Sequence, residues 1–84
     1  AEGVIIIKAK ADGKSAVMVE VNCETDFVGR DENFLKFANQ AAEAILESGV
    51  TDMQALETVT ANGSTVGGLR KELITKIGEN INVR

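Results

Sequence analysis

The chain offers few side chains for catalytic chemistry, because its 84 residues include no histidine and a single cysteine. Without histidine the chain lacks the commonest general base near neutral pH, the usual zinc ligand and the partner that activates a serine or cysteine nucleophile. Cys23 is the single cysteine, so it can form neither an internal disulfide nor a multi-cysteine metal site. With neither His nor Lys close in sequence to activate it, we expect Cys23 to be a buried, unreactive side chain.

Five carboxylates are concentrated in one stretch of the sequence, and they are Glu20, Glu24, Asp26, Asp31 and Glu32. Paired carboxylates could bind a metal ion or supply the acid and the base of a glycosidase. Their spacing matches no calcium loop, and acids are common at strand edges and helix starts, so solvated or capping roles are the simpler interpretation. The sequence therefore predicts no metal, no cofactor and no enzyme active site.

The charge of the chain argues against two classes of partner. Nine basic and 13 acidic residues leave a formal net charge of −4. Nucleic acids and anionic membranes are bound by clustered cations, so we expect no direct nucleic-acid partner and no membrane partner. Lys8, Lys10 and Lys14 form a small basic patch, for which protection of an edge strand against aggregation is the simpler role. No apolar run approaches the ~20 residues of a membrane span.

Periodicity in the sequence predicts a single α+β domain over residues 1–84. A β-branched run begins at Val4, and residues 16–22 alternate with three valines on one face, which is typical of a half-buried strand. Asp12-Gly13 is a turn signal between them, so we expect a β-hairpin from about Val4 to Asn22. Residues Asn80 to Arg84 also alternate, and we expect this strand to join the hairpin in a small antiparallel sheet.

About three helices are expected to cover this sheet. Their expected limits are Asp31 to Gly49, Thr51 to Asn62-Gly63, and Ser64 or Thr65 to Gly78. These limits follow from capping residues and from apolar spacings of three and four residues. The apolar faces consist of Phe34, Phe37, Ala38, Ala41, Ala42, Ile45 and Leu46; Met53, Leu56 and Val59; and Val66, Leu69, Leu73, Ile74 and Ile77. Gly67 and Gly68 leave open either a flexible start of the last helix or a close backbone contact.

The segment between the hairpin and the first long helix has two possible interpretations. Thr25 can cap a short helical turn, with Asp26 favourably placed in its first turn. In the first interpretation Phe27 and Val28 fold inward as part of the core. In the second, Phe27 lies at an exposed tip beside an acid, which is a common construction for an interface hot spot.

Three stretches of the sequence resemble one known family. The eleven residues Glu20–Arg30, with Thr-Asp-Phe-Val at their centre, resemble the signature of elongation factor Ts of bacteria and organelles. Lys76–Arg84 resembles the family's sequence at the end of the corresponding helix, and Ala1–Val4 resembles the start of its first core strand. The resemblance covers the whole chain in the same order, with one departure at Gly29, where the family usually has Ala or Ser.

The resemblance implies a function and a set of contact residues. Elongation factor Ts is the guanine-nucleotide exchange factor for the GTPase elongation factor Tu. By analogy, Asp26 and Phe27 would insert near the magnesium site of the partner's nucleotide-binding domain, supported by Thr25 and Val28. The turn formed by Ile77 and Gly78 would be a second contact site. Such a factor acts by binding the nucleotide-free partner better than the loaded one, and it is not an enzyme.

A second class of function stays open, namely a dimerisation or scaffolding module, because the core subdomains of some family members pair. The family also carries a helical module before this region and a second core subdomain after it. Neither is expected within residues 1–84, so we expect this fragment to fold but to bind and exchange weakly. The resemblance implies a bacterial cytoplasm or an organellar matrix as the location.

Overall fold

The expected β-hairpin forms most of a three-stranded antiparallel sheet. The computed structural model describes residues 2–11, 13–49, 53–61 and 63–84, with backbone alone at residues 53 and 54. Strand β1 (Glu2–Ala9) pairs with β2 (Ala16–Cys23) along its whole length. Strand β5 (Asn82–Val83) pairs antiparallel with the other side of β2, so the strand order is β1-β2-β5. The structure thus confirms both the hairpin and the strand that joins it.

The connection between β1 and β2 is longer than a two-residue hairpin turn. Lys10 N–H donates to the Ser15 carbonyl at 2.9 Å, and Gly13 N–H donates to the Lys10 carbonyl at 3.0 Å. Gly13 has the left-handed backbone that its turn signal predicts, with φ +72°. Asp12, the other half of the signal, lies outside the described residues.

The first long helix, α2 (Glu32–Ser48), is confirmed at both ends. The Asp31 carboxylate accepts the N–H of Phe34 at 3.0 Å and so caps the helix. Gly49 ends it in the left-handed conformation, with φ +72°. All seven apolar residues predicted for this helix are buried.

The second predicted helix is only partly correct. A 3₁₀ helix, Met53–Thr58, occupies its first half, and Leu56 and Val59 are buried as expected. After Thr58 the expectation is wrong, because strand β3 (Thr60–Ala61) pairs with β4 (Ser64–Thr65). The β-branched run 58–60 favours extended backbone over helix, which explains the early end. Thr51, the predicted cap, lies outside the described residues.

The last helix, α3 (Val66–Ile77), begins after Thr65, whose hydroxyl accepts the N–H of Gly68 at 3.0 Å. Gly67 lies in a close backbone contact, because a Cβ added there would be 2.9 Å from the Cβ of Glu57. Of the two interpretations of this glycine pair, the structure supports the close contact at Gly67.

The hydrophobic core lies between the inner face of the sheet and the helices. Its largest fully buried side chains are Phe34, Ile81, Val21 and Val66, which come from α2, the segment before β5, β2 and α3. Val17, Val19 and Val21 all face this side of the sheet, with Val17 at its margin. Three apolar residues predicted for α3, Leu69, Ile74 and Ile77, are half-buried and pack against the core. Among the described helices, none is long and apolar enough to cross a membrane.

Candidate partner-binding site

A four-residue helical turn, α1 (Asp26–Gly29), separates the end of β2 from the start of α2. Thr25 has extended backbone and caps this turn, because its hydroxyl oxygen accepts the N–H of Val28 at 3.4 Å. The N–H of Gly29 donates to the Thr25 carbonyl at 3.2 Å, which closes the single helical turn. The cap that the sequence predicts at Thr25 is therefore present.

The two apolar residues of α1 point in opposite directions. Val28 is 8% exposed and belongs to the core, whereas the Phe27 side chain is 85% exposed. Successive residues of a helical turn project about 100° apart, so a turn lying on the core can bury one of the two and expose the other. The first interpretation of the sequence is therefore correct for Val28, and the second is correct for Phe27.

Charged side chains flank the exposed Phe27. The carboxylate of Asp26 lies 3.8 Å from the guanidinium of Arg30, and both side chains are largely exposed. An exposed ion pair of this kind contributes little to stability. An apolar side chain surrounded by charged groups is nevertheless the usual arrangement of an interface hot spot and its polar rim.

The second implied contact, Ile77 and Gly78, lies at the end of α3. Gly78 has φ +83° and its N–H donates to the Ile74 carbonyl at 2.7 Å, so it ends the helix as predicted. A Cβ added at Gly78 would meet nothing within 4 Å, so this turn is open on its outer side. Ile77 is half-buried against the core, so only part of its side chain is available to a partner.

Hydrogen bonds join these two contact segments, although they are far apart in sequence. One oxygen of the Glu79 carboxylate accepts the N–H groups of Glu24 and Thr25 at 3.1 and 3.0 Å. The other accepts the hydroxyl of Thr25 at 2.7 Å. In return, the Glu24 carboxylate accepts the N–H of Asn80 at 2.6 Å. We call these four hydrogen bonds, made by the carboxylates of Glu79 and Glu24, the clasp.

The clasp is the part of the site that sequence reasoning missed. Glu24 is among the five clustered carboxylates, but its expected role was solvated or capping within its own segment. Glu79 lies in the second motif and had no role assigned. The sequence shows an acidic residue next to each of the two segments. It does not show which distant backbone N–H groups donate hydrogen bonds to that acid.

Cys23 lies directly beneath the turn. The residue is 3% exposed, and its thiol donates to the Thr25 carbonyl at 3.2 Å. Burial, reinforced by the nearby Glu79 carboxylate, raises the pKa of the Cys23 thiol above its usual value. Since the thiolate is the nucleophile, a buried neutral thiol is a packing group, and the expectation that Cys23 is buried is confirmed.

Two of the other clustered acids have structural positions. Asp31 caps α2, and Asp26 faces Arg30. In the part of the chain that the structure describes, no group of three or more cysteine, aspartate or glutamate side chains is arranged to hold a metal ion.

A second exposed apolar surface lies on the outer face of the sheet. Ile5, Ile7 and Met18 are 59%, 66% and 69% exposed, and Ile7 is opposite Met18 in the register of β1 and β2. We call these three side chains the outer sheet face. It is separate from the Phe27 turn, since it is built from the middle of the hairpin.

Comparison with known proteins identifies the class of the chain. The family described as Elongation factor TS matches residues 24–84, a stretch that contains both candidate contact segments and the clasp. Over its whole length the chain is 55% identical to elongation factor Ts of Arthrospira platensis, 49% to that of Thioalkalivibrio sulfidiphilus and 51% to that of Thiobacillus denitrificans. It spans 34%, 29% and 29% of those three relatives, respectively.

These matches place the chain among the translation elongation factors, as the Thr-Asp-Phe-Val motif indicates. It belongs to the elongation factor Ts family.

Proposed function

We propose that this chain contributes to guanine-nucleotide exchange by promoting the release of GDP from the GTPase elongation factor Tu. In this proposal Asp26 and Phe27 insert near the magnesium and nucleotide site of the partner, and Ile77 with Gly78 makes a second contact. The observation that carries the proposal is the Phe27 side chain, 85% exposed on a turn whose cap and neighbouring Val28 fix it to the core.

The chemistry of the partner makes such a wedge effective. A GTPase holds its nucleotide through backbone groups that bind phosphate and through a bridging metal ion, so displacing the supports of the metal weakens both. Phe27 is buried only when elements of the partner move apart, and full burial of a Phe side chain contributes about 1.5–3 kcal/mol. The Asp26 carboxylate contacts the displaced switch region of the partner and disfavours the metal-bound arrangement of that region. Linkage then requires that nucleotide expel the factor as strongly as the factor expels nucleotide.

The six candidate residues have different roles in this proposal. Phe27 and Asp26 are exposed and meet the partner directly. Thr25 and Val28 hold the turn, the first by capping it and the second by anchoring it in the core. The partner approaches closely at Gly78 because that residue has no side chain. No step requires a general base or a bound cofactor on this chain.

The release of a fluorescent GDP analogue from elongation factor Tu tests the proposal. The observed release rate is measured against increasing concentrations of the 84-residue chain, up to high concentrations, since the chain spans about a third of its relatives. The relatives compared are bacterial, so a bacterial elongation factor Tu is the partner and the bacterial cytoplasm is the proposed location. Phe27→Ala is expected to raise the half-saturating concentration about 10- to 150-fold, which corresponds to the loss of 1.5–3 kcal/mol.

Met18→Ala is the matched control, because Met18 is also a large exposed apolar residue but lies on the outer sheet face. It is expected to leave GDP release unchanged. If the Phe27→Ala chain promotes GDP release from elongation factor Tu as well as the wild-type chain does at every concentration, the wedge is not at Phe27 and the proposal fails.

The outer sheet face favours one alternative, a dimerisation or scaffolding module. Ile5, Ile7 and Met18 form an exposed apolar surface that a second subunit could cover. Under this alternative, Ile7→Glu would reduce the assembled mass in analytical ultracentrifugation, whereas Phe27→Ala would leave GDP release unchanged. Loss of GDP release in Phe27→Ala with an unchanged assembled mass supports exchange instead.

A further inference from the structure

We propose that Glu79, together with Glu24, is a positioning residue that holds the Phe27 turn and the Ile77–Gly78 turn as one rigid surface. The inference rests on the exchange function proposed above and adds a role for two residues outside the six candidates. It concerns how the wedge is held before the partner arrives.

The turn that carries Phe27 is too short to hold itself. A helix of four residues has a nucleation cost that its few internal hydrogen bonds do not offset, so its position depends on contacts with the rest of the fold. Val28 supplies one such contact from below, in the core. The clasp supplies the contact at the start of the turn, where its direction is set.

The Glu79 carboxylate fixes the backbone immediately before α1. Its Oε1 accepts the N–H groups of Glu24 and Thr25, which are the last two residues before the turn begins. Hydrogen bonds to an ionised carboxylate are about twice as strong as those between neutral groups. Two adjacent N–H groups bound to one oxygen leave this piece of backbone little freedom to rotate.

The same carboxylate also sets the direction of the Thr25 hydroxyl. A threonine hydroxyl has one proton to donate and two lone pairs to accept with. Because the Thr25 hydroxyl donates to Glu79 Oε2 at 2.7 Å, a lone pair of the Thr25 oxygen is left to accept the N–H of Val28. The cap of α1 is thus oriented by a residue from the other end of the chain.

The clasp works in both directions. The Glu24 carboxylate accepts the N–H of Asn80 at 2.6 Å, so the segment after α3 is held by the segment before α1. Gly78, in the second contact turn, directly precedes the two residues held in this way. A shift of either turn would therefore break hydrogen bonds made by the other, and we expect the two turns to move together.

Rigidity of this kind increases affinity, because a surface that is already ordered loses less conformational entropy on binding. Removing Glu79 is expected to raise the concentration of the chain needed for half-maximal GDP release about tenfold, in line with the loss of pre-organisation. The maximal release rate at saturation is expected to change much less, since Asp26 and Phe27 are still present.

A double-mutant cycle in the GDP-release assay tests the inference. The chains compared are wild type, Glu79→Ala, Phe27→Ala and the double variant, since coupling between residues that act together appears as non-additivity. Glu79→Gln should show partial rescue, because its amide oxygen can still accept the two N–H groups. Glu47→Ala is the charge-matched control, as Glu47 is exposed at the far end of α2, and it should behave as wild type.

Amide hydrogen exchange supplies a measurement that needs no partner. In Glu79→Ala the N–H groups of Glu24, Thr25 and Val28 should exchange faster, whereas those in the middle of α2 should be unchanged. If the Glu79→Ala chain fails to fold, the Glu79→Gln chain is compared with wild type in its place, in both the GDP-release assay and hydrogen exchange.

The outcomes separate this inference from the function on which it rests. A tenfold effect of Glu79→Ala that disappears in the Phe27→Ala background supports positioning. The inference is overturned if the Glu79→Ala chain needs the same concentration as wild type for half-maximal GDP release. It is also overturned if the free-energy effects of Glu79→Ala and Phe27→Ala are fully additive. Either result leaves the exchange function intact. If Phe27→Ala itself has no effect, the exchange function fails, and this inference fails with it.

Discussion

Gly29→Ala is expected to stabilise the chain, although it changes a residue next to the candidate site. Gly29 is the last residue of α1 and its φ lies outside the left-handed region, so an alanine can adopt the same backbone. A Cβ added there would lie 3.7 Å from the Cys23 sulfur and 4.0 Å from the Gly3 nitrogen. Both distances are ordinary van der Waals contacts, so nothing has to move.

The size of the effect follows from the unfolded chain. Replacing Gly by Ala where the native backbone suits both stabilises a protein by about 0.4–1 kcal/mol, because the unfolded state loses freedom. Each new carbon contact, such as that with Cys23, adds only about 0.1–0.2 kcal/mol. In a domain of this size a gain of 1 kcal/mol raises Tm by roughly 4–8 °C, so we expect an increase of about 2–8 °C.

Gly67→Ala is the matched control, because it is the same substitution in another helical position. There a Cβ would be 2.9 Å from the Glu57 Cβ and 3.0 Å from the Glu57 carbonyl oxygen, so the helices must separate. Such overpacking costs about 1–3 kcal/mol. Urea unfolding followed by circular dichroism should give a higher midpoint for Gly29→Ala and a lower one for Gly67→Ala, with unchanged m-values. A lower midpoint for Gly29→Ala would refute the reasoning.

Two further predictions concern stability. Phe34→Ala removes a fully buried ring and should cost about 3–5 kcal/mol in urea unfolding, whereas a loss below about 1 kcal/mol would contradict the assigned core. Burial raises the pKa of the Cys23 thiol above 9.0, so at high pH the folded chain keeps a proton that the unfolded chain loses. The free energy of unfolding should therefore fall above about pH 9, by at most ~1.4 kcal/mol per pH unit. Cys23→Ala should lose this component, and identical pH profiles for the two proteins would contradict it.

The sequence predicted the elements whose signals are local and long. In β2 the valines alternate over several residue pairs, and in α2 the seven apolar residues recur over several helical turns. Both elements appear as expected. The C-cap Gly49 acts through the Ile45 carbonyl, four residues before it, so its type and spacing were sufficient.

Short elements were predicted less well. The pairing of β3 with β4 involves two residues on each side, which is too few for a periodic pattern. The capping-box spacing near residue 51 predicted a helix, but the β-branched residues after Leu56 favoured an extended chain, and the helix ends at Thr58. Here local backbone preference and strand pairing ended the helix before the predicted break at Asn62-Gly63.

Within the candidate site, the sequence identified Thr25 as a cap but left open whether Phe27 folds inward together with Val28 or lies at an exposed tip. Both are apolar, and in a turn of four residues no repeat distinguishes them. The choice depends on which side of α1 faces the core, and that is set by where β2 ends and α2 begins.

By itself, the sequence determined the α+β class, the hairpin, the two main helices and membership of the elongation factor Ts family, because these depend on periodicity, capping and a continuous motif. Only the tertiary structure decided that Phe27 points outward and that Glu79 and Glu24 join the two candidate contact segments. The physical reason is distance along the chain. The clasp links residues 54 to 56 positions apart, which meet only because β5 pairs with β2 and brings the end of α3 to the start of α1.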